Sequence, residues 1–522
     1  MSTTEGPEQH AFSRKSFLAK LGIGAVAVGS GGVLGAAGRA SAASEHARAY
    51  AGINVHNFTR LFPRLPKFAS HSAHVEAALK EIGKPGGILD ANDALDKGPI
   101  LLITDPTLSA GNPNNPTHTA GTTFFGQFVD HDITFDVASK LGKATDPQTS
   151  PNGRTAVLDL DSVYGGGPIG SPQLYDPSDR AKLKIESGGL FEDVPRTPDG
   201  TAILGDPRND EHIVIAGLQA AFILFHNHSV DHARSDGIAE PDVFARARRL
   251  TTWHYHWLVL HEFLPLFVGQ QLVDDVWANG ARFYRPQSGK AMIPVEFQAA
   301  AYRFGHSMVR PSYRTNLAGD NGQPMFGFIF DPSQGGKTDP DDLRGGARAP
   351  RRFVGWQTFF DFGDGQVKPN KRIDTKLSTP LFDLPLGAIA AHDLPTSLPE
   401  RTLLRHLTWK LPSGQQIAKR MGVPRLARAD LEELAGYEVG FDRSTPLFYY
   451  VLKEAELVED GLRLGPVGGR IVAEVLIGLL RSDPASYVSV EPGWKPTVSP
   501  GAGFRMVDFL RFAGVDPASR GQ

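Results

Sequence analysis

The chain has 522 residues, 41% hydrophobic and 9% aromatic, so it is long enough to bury a large core, and its 31 phenylalanines point to an aromatic interior. A net charge of −3 and a pI near 6.6 give no electrostatic reason to expect nucleic acid or anionic membrane as a partner. The absence of cysteine excludes disulfides, thiolate metal ligation and cysteine nucleophiles.

Residues 1–42 read as an export signal. Ser13-Arg14-Lys15-Ser16-Phe17-Leu18 resembles a twin-arginine box with Lys15 in place of the second arginine. A Gly/Ala-rich apolar segment follows, and Ala40-Ser41-Ala42 is an A-x-A cleavage site, so the protein is expected in the cell envelope or outside the cell. Residues 43–95 read as an N-terminal extension with short helices. In 72–82 the spacing puts Val75, Ala78, Leu79 and Ile82 on one helical face. Gly-, Pro- and Asn-rich stretches at 105–117, 142–153 and 165–177 predict loops. Apolar residues at helical intervals predict long helices over 211–233, 242–267 and 294–309. Residues 311–372 read as loop or insertion. Helical periodicity returns at 397–411, 414–421, 427–435, 444–457, 468–481 and 504–514. The class expected is mostly α with minor β. No stretch after residue 42 reads as apolar for the eighteen residues that a membrane span needs, so no stable span is expected.

The most informative segment is Gly126-Gln127-Phe128-Val129-Asp130-His131-Asp132-Ile133. If it is helical, Gln127, Asp130 and His131 share one face, set among Phe124, Phe125, Phe128 and Val129. Burying three polar groups there is costly unless something satisfies them. A hydrogen-bonded core histidine between two acids is the simple alternative. In 155–161, Thr155, Val157, Asp159 and Asp161 alternate with apolar residues and would point one way from an extended loop. That pattern suits either a hard cation with oxygen ligands or a half-buried strand. His226/His228 and His254/His256 are two apart, so on a helix neither pair chelates one metal well. His261-Glu262 begins an H-E-x-x-H motif, but Pro265 stands where the second histidine is required.

The 126–133 segment resembles the distal-histidine motif of the animal-type haem peroxidases, the superfamily that includes myeloperoxidase and the cyclooxygenases. Further stretches match in the same order: Thr155-Ala156-Val157-Leu158-Asp159-Leu160-Asp161-Ser162-Val163-Tyr164-Gly165, Gly205-Asp206-Pro207-Arg208-Asn209-Asp210-Glu211, Phe225-His226-Asn227, Leu264-Pro265-Leu266 and Tyr302-Arg303-Phe304-Gly305-His306-Ser307. The resemblance implies a single large helical haem-peroxidase domain, 96–515, holding haem b and calcium. It implies that His306 ligates the haem iron and that Arg303 and Arg405 lie near haem propionates. His131 would be the acid–base catalyst, with Arg208 as the fixed positive charge and Gln127 beside them. Asp130 and Glu211 stand where mammalian members form ester links to haem, and His212 stands where myeloperoxidase has the methionine of a third link. Asp132, Thr155, the carbonyl of Val157, Asp159 and Asp161 would hold the calcium. His226 and Asn227 would be structural.

One position departs from the family. Thr402 stands where an asparagine accepts a hydrogen bond from the proximal histidine, and such partners tune the metal. The function implied is reduction of hydrogen peroxide with oxidation of a small donor, a halide or a phenolic or aromatic compound. The alternatives are a fatty-acid dioxygenase of the same superfamily and a catalytically silent binding or adhesion protein. The dioxygenases generate a radical on a tyrosine three residues before the proximal histidine; Arg303 occupies that place here and Tyr302 is one residue too early.

Overall fold

The fold is built around one pair of long helices. The computed structural model describes residues 57–498 and 503–522, apart from 109, 137, 347, 348 and 390; the export segment expected at 1–42 lies outside the described residues. Helices predominate among them, joined by long irregular connections and three two-stranded antiparallel ribbons, in agreement with the mostly α expectation.

We label the elements that position the site α1 (Ala73–Gly83), β1 (Asn114–Thr119), α2 (Ala120–Ile133), α3 (Ile213–Ser235), α4 (Glu240–Leu258), β2 (Ser312–Arg314), β3 (Phe326–Phe328), β4 (Pro369–Lys371), α5 (Leu398–Thr408), α6 (Leu447–Val458), α7 (Pro466–Ser482) and α8 (Met506–Phe512). His212 caps α3 by accepting from the Ile215 backbone N–H. A short connection containing Gly237, at φ 76°, returns the chain as α4 along α3. α4 runs on through a π-turn, Val259–Phe263, into Leu264–Val268. Pro265 lacks an N–H and crowds the preceding turn, and the wide turn lies directly before it.

By length and composition α3 could cross a membrane, which the sequence reading did not credit. Within the fold 89% of its apolar window is buried, so it serves as a core helix. Phe222 stacks on Phe128 of α2 at 4.4 Å, and Phe225 stacks on Phe509 of α8 at 4.2 Å. α2 is thereby fixed against α3 by the apolar residues that flank its polar motif.

Two expectations needed correction. Residues 294–309 do not form one helix: they are Val295–Gln298, a 3-10 turn Ala301–Phe304 and Gly305–Met308, broken at Ala300 (φ −141°, ψ −72°). Tertiary contacts override the alanine-rich local preference. The buried Glu296 carboxylate accepts from the backbone N–H groups of Leu61 and Phe62, and the Tyr302 hydroxyl donates to the Gly126 carbonyl of α2. Residues 311–372 carry more order than a loop reading allows, since β2 pairs with β3 and β4 pairs with β1, the strand that leads into α2. Residues 57–95 are part of the same core: Phe58, Leu61, Phe62 and Phe68 are buried in it, and α1 packs on α5.

Candidate active site

Gln127, Asp130 and His131 project from α2 into a crevice also lined by Arg208, Glu211, Arg303, His306 and Arg405. The helical spacing of the motif produces that grouping, as expected. His131 Nδ1 lies 2.8 Å from Asn209 Oδ1, and Asn209 Nδ2 donates to Gln219 Oε1 at 2.8 Å. The amide orientation makes Oδ1 an acceptor, so Nδ1 carries the imidazole proton and Nε2 offers its lone pair. Nε2 stands 3.9 Å from Glu211 Oε2.

A second chain of hydrogen bonds starts at the N-terminus of α3. His212 Nδ1 accepts from Ile215, so its Nε2–H donates to Gln127 Oε1 at 2.9 Å, and Gln127 Nε2 donates to Glu211 Oε2 at 3.2 Å. The backbone therefore sets the tautomer of His212 and, through it, the direction of Gln127.

Burial is the main electrostatic influence here. It depresses His131 to about 3, with the Arg208 cation assisting. It raises Glu211 to about 8 against the pull of Arg208, so the pair at 3.9 Å is uncharged at neutral pH and is not an ion pair. Asp130 is likewise raised by burial, although Arg208 Nη1 is 4.0 Å away and Thr134 Oγ1 donates to it at 3.0 Å.

Arg208 is held more tightly than the sequence suggested. Its guanidinium donates to Asp206 through Nε (3.0 Å) and Nη2 (2.7 Å), and Nη2 also reaches the carbonyls of Thr134 (2.6 Å) and His131 (3.1 Å). It thus clamps the C-terminal end of α2, where a cation complements the helix dipole. Burial alone would raise Asp206, but the Arg208 and Arg154 guanidiniums hold it well below the carboxylate range.

On the second histidine side, the 3-10 turn and the turn after it bring Tyr302, Arg303 and His306 to the crevice although the helix expected there is broken. Thr402 of α5 donates its hydroxyl proton to the Leu398 carbonyl at 2.9 Å, so the same oxygen can only accept from His306 Nδ1, at 3.5 Å. That long contact leaves His306 Nε2 without a proton.

The crevice fits haem. Arg303 and Arg405 both line it, and burial followed by Arg405 repulsion lowers Arg303 to about 9. Arg405 donates to Asp136 at 3.0 Å, yet its buried Nε has no hydrogen-bond partner. Asp130 and Asp136 both act on Arg303, but burial raises Asp130, and Arg405 keeps an unsatisfied donor, so the pair leaves room for an anion of the kind that propionates supply. At Gly305 a Cβ would meet open space, so the chain leaves room beside His306.

Behind α2, the carboxylates of Asp132, Asp159 and Asp161 offer oxygens within 4.8 Å of one another. Thr155 Oγ1 is 3.0 Å from Asp159 and 3.5 Å from Asp161; Val157 belongs to the same loop. The loop is not extended as the alternation implied, nor is it the alternative half-buried strand. It is a run of bends with Leu160 at φ 59°, which curls the donors inward. Burial and then repulsion from Asp159 and Asp161 hold Asp132 well above the usual carboxylate range. Asp161 is raised to about 6 by burial, against the pull of Arg154.

His226, Asn227, His254 and His256 are taken up in hydrogen bonds within the core. His226 bonds Tyr164 and the Ala181 carbonyl, Asn227 bonds the Leu183 backbone, and His254 and His256 bond backbone carbonyls. Asp206, Asn209, His212 and Gln219 hold the site together but were not assigned these roles from sequence. Gln219 had a readable signal, being the lone polar side chain in an apolar run from Ile213 to Phe225.

The fold thus brings two histidines and several arginines around one crevice. Residues 137–334 match the animal haem peroxidase family model, a span that includes Arg208, Glu211 and His306 and begins just after the α2 motif. The probable oxidoreductase PXDNL of Homo sapiens is 25% identical over 212 residues, 35% of this chain and 14% of that protein. Thyroid peroxidase of Mus musculus is 24% identical over 33% of this chain and 21% of its own length. The matched regions thus make up about a fifth or less of these relatives. Peroxidase A of Dictyostelium discoideum shares the fold with a TM-score of 0.59 at 14% identity, covering 85% of this chain and 92% of that one. Fatty acid α-dioxygenase of Oryza sativa does so at 0.51 and 12% identity, over 81% and 83%. Residues 137–334 thus resemble the animal haem peroxidase family, and the chain shares the fold of peroxidase A.

Proposed function

We propose that this protein is an exported haem peroxidase that reduces hydrogen peroxide and oxidises a small electron donor, a halide or a phenolic or aromatic compound. The observation that carries the reading is the protonation geometry of the two histidines sharing the crevice. His131 presents a free Nε2 and is fixed by Asn209, while His306 has Nδ1 tied back to Thr402 and Nε2 left free to ligate iron. Haem held by His306, with its propionates at Arg303 and Arg405, supplies the iron at which peroxide is reduced. His131 Nε2 takes the proton from one peroxide oxygen and returns it to the other, and its depressed pKa keeps it a base at neutral pH. Arg208 supplies a fixed positive charge beside Asp130, and Gln127 orients Glu211. The fatty-acid dioxygenase reading needs a tyrosine at position 303; Tyr302 instead spends its hydroxyl on the Gly126 carbonyl.

His306→Ala is expected to lose the Soret band and His254→Ala to keep it. His131→Ala should keep the band and slow the reaction with peroxide by about 10²–10⁴-fold, the usual contribution of acid–base catalysis. Because His131 is neutral above about 3, the wild-type rate should stay level as pH falls from 7 to 5. Stopped-flow traces that are unchanged in His131→Ala would sink the assignment.

Calcium at Asp132, Thr155, the Val157 carbonyl, Asp159 and Asp161 would neutralise the carboxylate cluster and fix the helix that carries His131. With calcium kept a hundredfold above its Kd, chelation should cost about 2.7 kcal/mol of stability. Asp159→Ala should abolish that response. Active protein containing no calcium by elemental analysis refutes the site.

Asp130 and Glu211 are the two acids placed for ester links, and His212 leaves no third. After treatment with peroxide, part of the haem should survive acid–organic extraction, less of it in Glu211→Gln; complete extraction from wild type removes the claim. Export by the twin-arginine route rests on residues 1–42, and the mature protein should begin at residue 43 on N-terminal sequencing. A retained N-terminus would contradict cleavage.

A further inference from the structure

A second cavity of about 670 Å³ adjoins the haem crevice, separated from it by one thin wall. The wall is the 3-10 turn Thr379–Phe382 with the residues beside it. Leu381 and Leu384 face the crevice, Phe382 and Asp383 face the second cavity, and Phe330 lines both. The cavity has two kinds of surface. Phe328, Phe330 and Phe382, with several prolines, offer flat apolar faces. Asp331, Asp383 and Glu400 stand among them, and among the described residues no lysine, arginine or histidine lines the space.

The cations that act on these carboxylates are already engaged: Arg344, which also donates to the Asp331 carbonyl, pairs with Asp342 at 2.8 Å. Lys80 pairs with Glu76 at 2.9 Å and Arg401 with Asp393 at 2.8 Å, and neither lines the cavity. Asp331 caps a turn through Ser333 N and Gln334 Nε2. Hydrogen bonds from Ser333 outweigh its burial and hold its pKa low, so it carries charge. Asp383 is exposed and has no ion pair among the described residues, and Glu400 is half-buried.

We propose that this cavity binds the reducing substrate, and that the substrate class it takes is a cationic aromatic amine. The inference rests on the peroxidase reading of the neighbouring crevice and goes beyond it by naming the donor. An aromatic ring lies against the phenylalanine and proline faces, and its positive group meets the carboxylates at the mouth. Phe330 then forms the shared wall between donor and haem crevice, so the electron crosses one side-chain layer and the donor need not enter the crevice. Each turnover balances as one peroxide and two donor molecules. Hydrogen peroxide accepts two electrons and two protons to give two waters, and each amine gives one electron and one N–H proton and leaves as an aminyl radical.

Steady-state kinetics with three donors tests this: (4-aminophenyl)trimethylammonium, its neutral isostere 4-tert-butylaniline, and iodide. In wild type the cation should show the lower KM of the two anilines. In Asp383→Asn/Glu400→Gln the KM for the cation should rise about fivefold, as for two partly screened charge contacts, while the neutral isostere moves by less than about twofold. Iodide oxidation should be unchanged. Thr396→Trp, which fills the cavity, should raise KM for both anilines and leave iodide oxidation and the Soret band as in wild type. Asp383→Asn alone, on an exposed side chain, gives the same direction if the double variant does not fold. Equal KM values for the two anilines in wild type, or a charge variant that shifts both alike, overturns the proposal while the peroxidase reading stands. A wild-type protein with no Soret band and no iodide oxidation overturns both.

Discussion

Interior positive charge without enough negative charge beside it is the constraint on which the rest of this structure depends. Arg208, Arg303 and Arg405 all line one crevice inside an aromatic core. Arg208 pairs with Asp206, which it shares with Arg154, and Arg405 pairs with Asp136, while Arg303 has no ion pair of its own among the described residues. A buried charge left unpaired costs several kcal/mol by general experience, so a fold tolerates this arrangement when a ligand completes it. The guanidiniums therefore favour an anionic occupant, while His306 offers an Nε2 lone pair to a metal and His131 offers a proton acceptor. Haem satisfies both demands.

The same electrostatics explains how the base on α2 is kept in place. Arg208 clamps the last carbonyls of α2 from the crevice side, and Asp132 is drawn into the carboxylate cluster behind it. His131 lies between these two attachments, and Asn209 holds its ring from a third direction. A shift of any one of them tilts Nε2. This makes Asp132 and Arg208 parts of one device: the first would be relieved of its neighbours' repulsion by the proposed cation, and the second is a cation placed where the helix dipole favours it.

Much of this was legible in the sequence, and the failures have identifiable causes. The α2 face could be read because helical spacing alone groups Gln127, Asp130 and His131. Helix α3 was also readable, down to its starting point within two residues. The break at Ala300 was not, because Ala299, Ala300 and Ala301 favour helix locally. The contacts that break it come from Glu296 on Leu61 and Phe62 and from Tyr302 on Gly126, partners far away in the chain. The donor loop 155–161 was grouped correctly on the wrong geometry. Alternation suggested an extended loop, whereas a left-handed Leu160 curls it so that Asp159 and Asp161 meet Asp132. Asn209 and Asp206 lie inside a motif already singled out, but which of its polar residues faces His131 depends on the 3-10 turn Pro207–Asp210.

The choice among related activities turns on where oxidising equivalents can go. In a dioxygenase a tyrosine hydroxyl must be free to lose its hydrogen toward a substrate. Tyr302 stacks on Phe297 at 4.6 Å and donates to a backbone carbonyl, so it acts as a strut joining the two histidine-bearing segments. A silent binding module would gain nothing from the crevice at all, since an apolar filling of the same volume would be at least as stable. The acid-lined cavity is compatible with the same reading. Asp331, Asp383 and Glu400 at its mouth repel a fatty-acid carboxylate, and the aromatic wall behind them offers no metal or radical to meet an alkyl chain. What that wall can pass is an electron. The geometry thus favours small reductants drained one electron at a time over a substrate that must be gripped and oxygenated.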